Sequence, residues 1–133
     1  MKVLRSDMIV FFDVDDTLIG WGKPEPGPAE HWVQVQVPHW RGQTANHWII
    51  KENVEAIKLH KSRGHIVVVW SAGGYEWAEA VVKALKMENY VDLVCSKPEW
   101  IYDDLEASVW MPKAKHLARK QEDPEDNGAS ENP

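Results

Sequence analysis

Four short apolar runs, each ending abruptly at polar residues, constrain this chain more than any other feature of its sequence. Residues 8–12 (MIVFF) stop at Asp13-Val14-Asp15-Asp16, and residues 65–70 (HIVVVW) stop at Ser71-Ala72-Gly73-Gly74. A weaker run at 91–95 (VDLVC) stops at Ser96-Lys97-Pro98, and 100–102 (WIY) stops at Asp103-Asp104. Unbroken apolar character, clearest in the first run, predicts a central parallel strand covered on both faces, since a half-exposed strand would alternate.

Helical patterns separate the runs. Ile50, Val54 and Ile57 recur at helical spacing with charges between them, and Gly64 supplies a stop. Trp77, Val81 and Leu85 repeat the pattern, so 75–87 reads as an amphipathic helix. Strands alternating with helices imply βαβ units with right-handed crossovers. The expected fold class is therefore α/β, a Rossmann-like parallel sheet with flanking helices.

Two segments fall outside this pattern. Residues 20–48 hold four of the eight prolines (Pro24, Pro26, Pro28, Pro38) and four of the eight tryptophans (Trp21, Trp32, Trp40, Trp48). Within them VQVQV at 33–37 alternates with the period of a half-exposed strand. The stretch reads as an insert carrying a strand or hairpin over one end of the sheet, its tryptophans packing the core or the insert itself. From Gln121 onward, five acidic residues and no basic ones lie among Pro, Asn, Gly and Ser, too little apolar surface to order the segment. The expected organisation is one domain over residues 1–120 and a disordered acidic tail over 121–133.

Several classes are excluded. The single cysteine, Cys95, leaves no disulfide framework and no cysteine-rich zinc site. His31, His39 and His47 recur every eight residues, but no helix or strand period brings them to one point. No apolar run approaches the roughly 18 residues needed to span a bilayer, and the N-terminus lacks the cleavage pattern of a signal peptide. A soluble, cytoplasmic protein without a membrane partner is expected. The cations Lys113, Lys115, Arg119 and Lys120 read as the solvated face of a terminal helix.

The chemistry collects where the runs stop. In open parallel sheets the ligand crevice lies at the carboxyl ends of the strands. Asp13, Asp15, Asp16, Thr17, Ser71, Lys97, Asp103 and Asp104 are expected there. Crowded carboxylates need a counter-charge, and a hard divalent cation, Mg²⁺ above all, supplies it through oxygen ligands. A lysine and hydroxyls on the same rim offer a point charge and hydrogen bonds to an anion. Together they describe a phosphate site.

These residues also carry a family resemblance. FFDVDDTL resembles the first motif of the haloacid dehalogenase superfamily, a hydrophobic strand followed by Asp-x-Asp-x-Thr. Ser71, Lys97 in SKP, and Asp103-Asp104 after WIY resemble its second, third and fourth motifs, in the family's order. The resemblance implies a Mg²⁺-dependent phosphomonoester hydrolase working through an aspartyl-phosphate. Asp13 would be the nucleophile and Asp15 the acid and base. Thr17, Ser71, Ala72 and Lys97 would hold the phosphate, and Asp13, Asp15 through its backbone carbonyl, Asp103 and Asp104 would serve the metal, Asp104 as an orienter more than a direct ligand. Asp15 sets the chain apart from the family's dehalogenases and ion pumps, which lack Asp at that position. Asp16 stands where glycine is common in this motif.

The insert is too short for the cap domains of many family members, so a capless enzyme with a short flap is expected. Only five residues separate Lys97 from Asp103, too few for a helical crossover, so an irregular path spanning up to about 17 Å must link them. The substrate class left open is a phosphorylated small molecule ahead of a phosphorylated nucleic-acid end, with oligomerisation possible through the Trp-rich insert. The alternatives are a signalling receiver domain and a non-catalytic module binding through that insert. A receiver would need its acceptor Asp at the end of the third strand, where Cys95 and Ser96 stand. The net charge of −6 does not oppose an anionic substrate: the tail carries five of the 21 acidic residues, leaving the body at −1.

Overall fold

Three of the four apolar runs pair as parallel strands. The computed structural model describes residues 8–21, 29–38 and 44–110. In chain order they form β1 (Ile9–Phe12), β2 (Ile19–Gly20), a 3-10 turn (Ala29–His31), β3 (Trp32–Gln36), β4 (Thr44–Ile49) and α1 (Lys51–Ser62). These are followed by β5 (Ile66–Ser71), α2 (Tyr75–Ala84), β6 (Leu93–Ser96) and a single turn, α3 (Ala107–Trp110). The tail at 121–133, the cations at 113–120, His39 and Trp40 lie outside the described residues.

The parallel sheet has the order β1-β5-β6, with Phe12 opposite Val69 and Ser71 opposite Ser96. Successive side chains of a strand point to opposite faces, so Val67, Val69 and Ser71 share one face of β5. Val54 and Ile57 of α1 and Ala78, Val81 and Val82 of α2 join Val67 and Val69 in one buried cluster. Both helices therefore cover the same face. The chain steps in one direction, from β1 to β5 to β6, and right-handed crossovers taken in one direction leave their helices on one side.

This corrects the expectation for the first run. Among the described residues β1 is an edge strand, and β5 is the central one. Ile9 and Phe11 on β1 and Leu93 on β6 stand exposed on the face away from the helices, where Phe11 leans on Trp70 with ring centroids 4.4 Å apart. An unbroken apolar run reports that both faces are apolar; it does not report that both are covered.

The run at 100–102 is corrected too. It forms no strand: residues 98–106 follow an irregular path, with Tyr102 91% exposed, before the single turn of α3. Pro98 follows Lys97 directly and has no N–H to extend β6. The short link leaves no crossover to bring another strand alongside. Asp103 and Asp104 therefore do not stand at a strand end.

The Trp-rich insert builds a second, antiparallel sheet of order β2-β4-β3, with Trp32 opposite Trp48 and Gly20 opposite Trp48 on the other side. Its β3 strand packs on α2, and Val35 is fully buried there. Gly20 is required by close approach: a Cβ on it would lie 1.8 Å from Nε1 and 2.2 Å from Cε2 of the Trp48 indole. A rigid ring cannot give way by that much without repacking β4. Gly20→Ala should cost about 1–3 kcal/mol and lower the melting temperature by roughly 5–10 °C, measurable by differential scanning calorimetry.

Candidate functional site

The segment after β1 is a tight turn that sets the first carboxylates. The Val14 carbonyl accepts the N–H groups of Thr17 (3.1 Å), Leu18 (2.8 Å) and Ile19 (3.3 Å), while buried Val14 and Leu18 anchor it to the core. Asp16 sits at φ 63°, in the left-handed region. Glycine enters that region freely and Asp is among the few other residues that tolerate it, which explains how Asp16 fills this position. The Asn53 amide of α1 donates to the Thr17 carbonyl at 2.8 Å, and the N–H of Ile50, just before α1, donates to the Leu18 carbonyl at 2.9 Å. The turn is thus tied to the helix that follows the insert.

Asp13, Thr17 and Lys97 come together. The Lys97 ammonium lies 3.2 Å from Asp13 Oδ1, and Thr17 Oγ1 makes a long 3.4 Å contact with Oδ2 of the same carboxylate. Lys97 reaches this point because its backbone N–H donates to the Ser71 carbonyl (2.9 Å), extending the β5–β6 pairing one residue beyond β6. Both charged side chains are about one-third exposed, so the pair contributes at most about 1 kcal/mol to stability. Its use is positional: a cation held beside a carboxylate that remains open to solvent.

Ser71 and Ala72 behave differently from each other. Ser71 is fully buried at the end of β5, and its Oγ accepts the Gly73 N–H at 2.9 Å. A hydroxyl retains a proton to donate after accepting, so one hydrogen bond is still available to it. Ala72 is exposed on the loop leading to α2. Two amides at the start of α2 are spent within the protein. Gly74 N–H donates to the Ser71 carbonyl at 3.1 Å, and Tyr75 N–H donates to Ser96 Oγ at 2.9 Å.

Asp15 has partners that the spacing of residues does not reveal. Its Oδ1 accepts two indole N–H groups, from Trp21 at 2.6 Å and Trp77 at 3.1 Å. Trp21 follows β2, and Trp77 lies in the first turn of α2, 62 residues from Asp15 in sequence. Trp77 reads in the sequence as a core residue of an amphipathic helix, and it is buried as such. The signal that was present is chemical: a buried indole N–H needs an acceptor, and carboxylates are the strongest on offer.

Beneath these two indoles lies His47, from β4, almost fully buried. Its ring is edge-on to Trp21 at 4.3 Å and to Trp77 at 5.7 Å. Neither ring nitrogen has a hydrogen-bond partner. Burial holds the imidazole below its ordinary value of 6.5, against the Gly20 carbonyl and the Asp15 carboxylate, which favour the charged form. A histidine kept neutral in the folded state, while the unfolded chain binds a proton, contributes stability that is full above the unfolded value and is lost as pH falls below it. Urea unfolding should therefore show stability declining as pH drops from 7 to 5. His47→Phe should flatten that slope, with the remainder carried by His60, which burial also lowers.

Asp103 and Asp104 are exposed, and Asp103 Oδ1 accepts the Leu105 N–H at 2.9 Å in a local turn. Among the described residues no three His, Cys, Asp or Glu side chains are grouped so as to hold a metal ion. His31 and His47 form no such group either. Compared with known proteins, the chain matches no family model, no curated protein and no solved structure. Among the described residues no helix is long and apolar enough to cross a membrane.

Proposed function

We propose that the chain is a phosphomonoester hydrolase of the haloacid dehalogenase type, without a cap domain, in which the antiparallel sheet β2-β4-β3 serves as a short flap. The observation that carries this reading is the Lys97 ammonium 3.2 Å from the Asp13 carboxylate, at the carboxyl ends of the two strands that flank β5 in a parallel sheet. Asp13 attacks phosphorus, and the bond to the leaving oxygen breaks. Asp15 gives that oxygen a proton. Both indoles fix Oδ1 of Asp15, so the transferable proton belongs on Oδ2. Asp15, now a carboxylate, takes a proton from water as the water oxygen attacks the phosphoryl group and releases Asp13. Lys97 and the Ser71 and Thr17 hydroxyls stabilise the oxygens that do not react.

Mg²⁺ is the cofactor of this reading. Asp13 offers a carboxylate and Asp15 its backbone carbonyl from one turn, a donor set that suits a hard ion otherwise bound by substrate phosphate and water. When bound there it neutralises charge on the phosphoryl group. Asp103 and Asp104 are proposed only as outer partners of that site. In this reading the enzyme works in the cytoplasm on a phosphorylated small molecule.

The test is hydrolysis of para-nitrophenyl phosphate and a panel of metabolite phosphates, with Mg²⁺ and after its removal by chelation. Mg²⁺-dependent phosphate release is expected. A pure protein that releases no phosphate from any ester overturns the reading.

A further inference from the structure

A cavity of about 560 Å³ opens beside Asp15, between the end of β3 and the start of α2. Its walls are aromatic and apolar: Trp21, Pro38, Tyr75 and Trp77. Two of these rings are displayed to solvent, Trp21 at 44% exposure and Tyr75 at 54%. Trp21 is not loose, because its N–H is tied to Asp15 and its ring is seated on His47. Such rings bind flat partners at a low entropic cost, having few torsions to freeze.

We propose that this cavity receives the leaving group of the phosphomonoester and selects a flat, uncharged aromatic ring system there. The inference rests on the reading of Asp15 as the acid. Whatever is attached to the oxygen that Asp15 protonates must occupy the space Asp15 faces, and Asp15 itself lines this cavity. The volume falls within the ~300–1,000 Å³ of ordinary small-molecule sites, and it suits a bicyclic aryl group or a nucleoside. Charge narrows the class further. Among the described residues the lining brings the carboxylate-bearing Asp15 and Glu76, which disfavour a second phosphate or a carboxylate on the leaving group.

The experiment separates ring recognition from turnover. The indole N–H signals of the ¹⁵N-labelled full chain are followed by NMR, those of Trp21 and Trp77 being assigned through Trp21→Phe and Trp77→Phe. Adenosine, 2-naphthol and glycerol are titrated in turn, all without phosphate. Adenosine, 2-naphthol or both should shift these two signals, and glycerol should not. Adenosine alone identifies a nucleoside as the natural leaving group, and 2-naphthol alone identifies a simple aryl group. Tyr75→Ala should weaken the binding at least fivefold.

In parallel, kcat/KM for adenosine 5′-monophosphate or 2-naphthyl phosphate should exceed that for glycerol 3-phosphate by at least tenfold. If neither ring compound moves the two indoles, or if esters are hydrolysed with no aromatic preference, the inference is overturned and the phosphatase reading stands. Ring binding without hydrolysis of any ester would leave the cavity as a binding site and remove the phosphatase.

Discussion

Asp13→Asn should lower phosphomonoester turnover by roughly 10³-fold or more, because loss of the proposed nucleophile would remove the covalent route and leave only what positioning contributes. The fold should survive. Asn keeps the shape of the side chain and can still accept from Thr17, and the pair lost with Lys97 is a part-exposed one worth about 1 kcal/mol or less. Circular dichroism and a melting temperature within a few degrees of wild type would establish that the loss is chemical. Acid quenching of the wild-type protein during turnover, followed by peptide mass spectrometry, should place a phosphoryl group on Asp13. Turnover that persists in Asp13→Asn would sink the nucleophile assignment.

Lys97 makes this prediction more discriminating. If it merely occupied the surface, removing it would leave catalysis alone. Here its ammonium lies against the proposed nucleophile and its backbone continues the β5–β6 pairing. The two functions can be separated, since a side-chain change leaves the backbone hydrogen bond to the Ser71 carbonyl in place.

What could be read from the sequence follows from what each signal encodes. The runs ending at Asp13, Ser71 and Lys97 announced three parallel strands, because chain entry into a sheet and exit at its carboxyl end are local patterns of apolar and polar residues. The alternation at 33–37 likewise appears as β3, displaced by one residue at each end. Edge and centre are not local. MIVFF has the same composition whether one neighbour flanks it or two, so the exposure of Ile9 and Phe11 could not be foreseen. WIY failed for a related reason: three apolar residues without a crossover have no partner to pair with, and Trp100, Ile101 and Tyr102 remain exposed.

The same distinction runs through the site. Asp13, Asp15 and Thr17 share one turn, and Lys97 sits one residue beyond a strand, so the pairing of β1 and β6 with β5 sets Lys97 two strands from Asp13, a gap its long side chain spans. The contacts of Asp15 depend instead on how an antiparallel sheet and α2 pack around it, and no spacing in the sequence reports that 21 and 77 meet at position 15. Nothing in the residues neighbouring Trp21 and Trp77 sets them apart from the other tryptophans of the sequence.

Trp77 should have the largest effect on stability of any site residue, and its two obvious variants should part company. Its ring belongs to the buried cluster with Val81, Val82 and Val69, while its N–H holds Asp15. Trp77→Ala empties that space and should cost about 3–5 kcal/mol, a large fraction of the ~5–15 kcal/mol that stabilises a typical domain. Trp77→Phe retains most of the volume but loses the N–H and the outer part of the indole, a smaller core defect of about 1–2 kcal/mol. It should lower the melting temperature far less than Trp77→Ala but lower kcat by about tenfold, with KM nearly constant, because Asp15 loses one of the two donors that aim it. Trp21→Phe should act in the same sense. The double substitution should exceed the product of the two single effects, since each indole still steadies Asp15 when the other is gone. A kcat that follows the melting temperature across these variants would mean that Trp77 only packs the core; a kcat that falls while stability holds identifies it as the residue that positions Asp15.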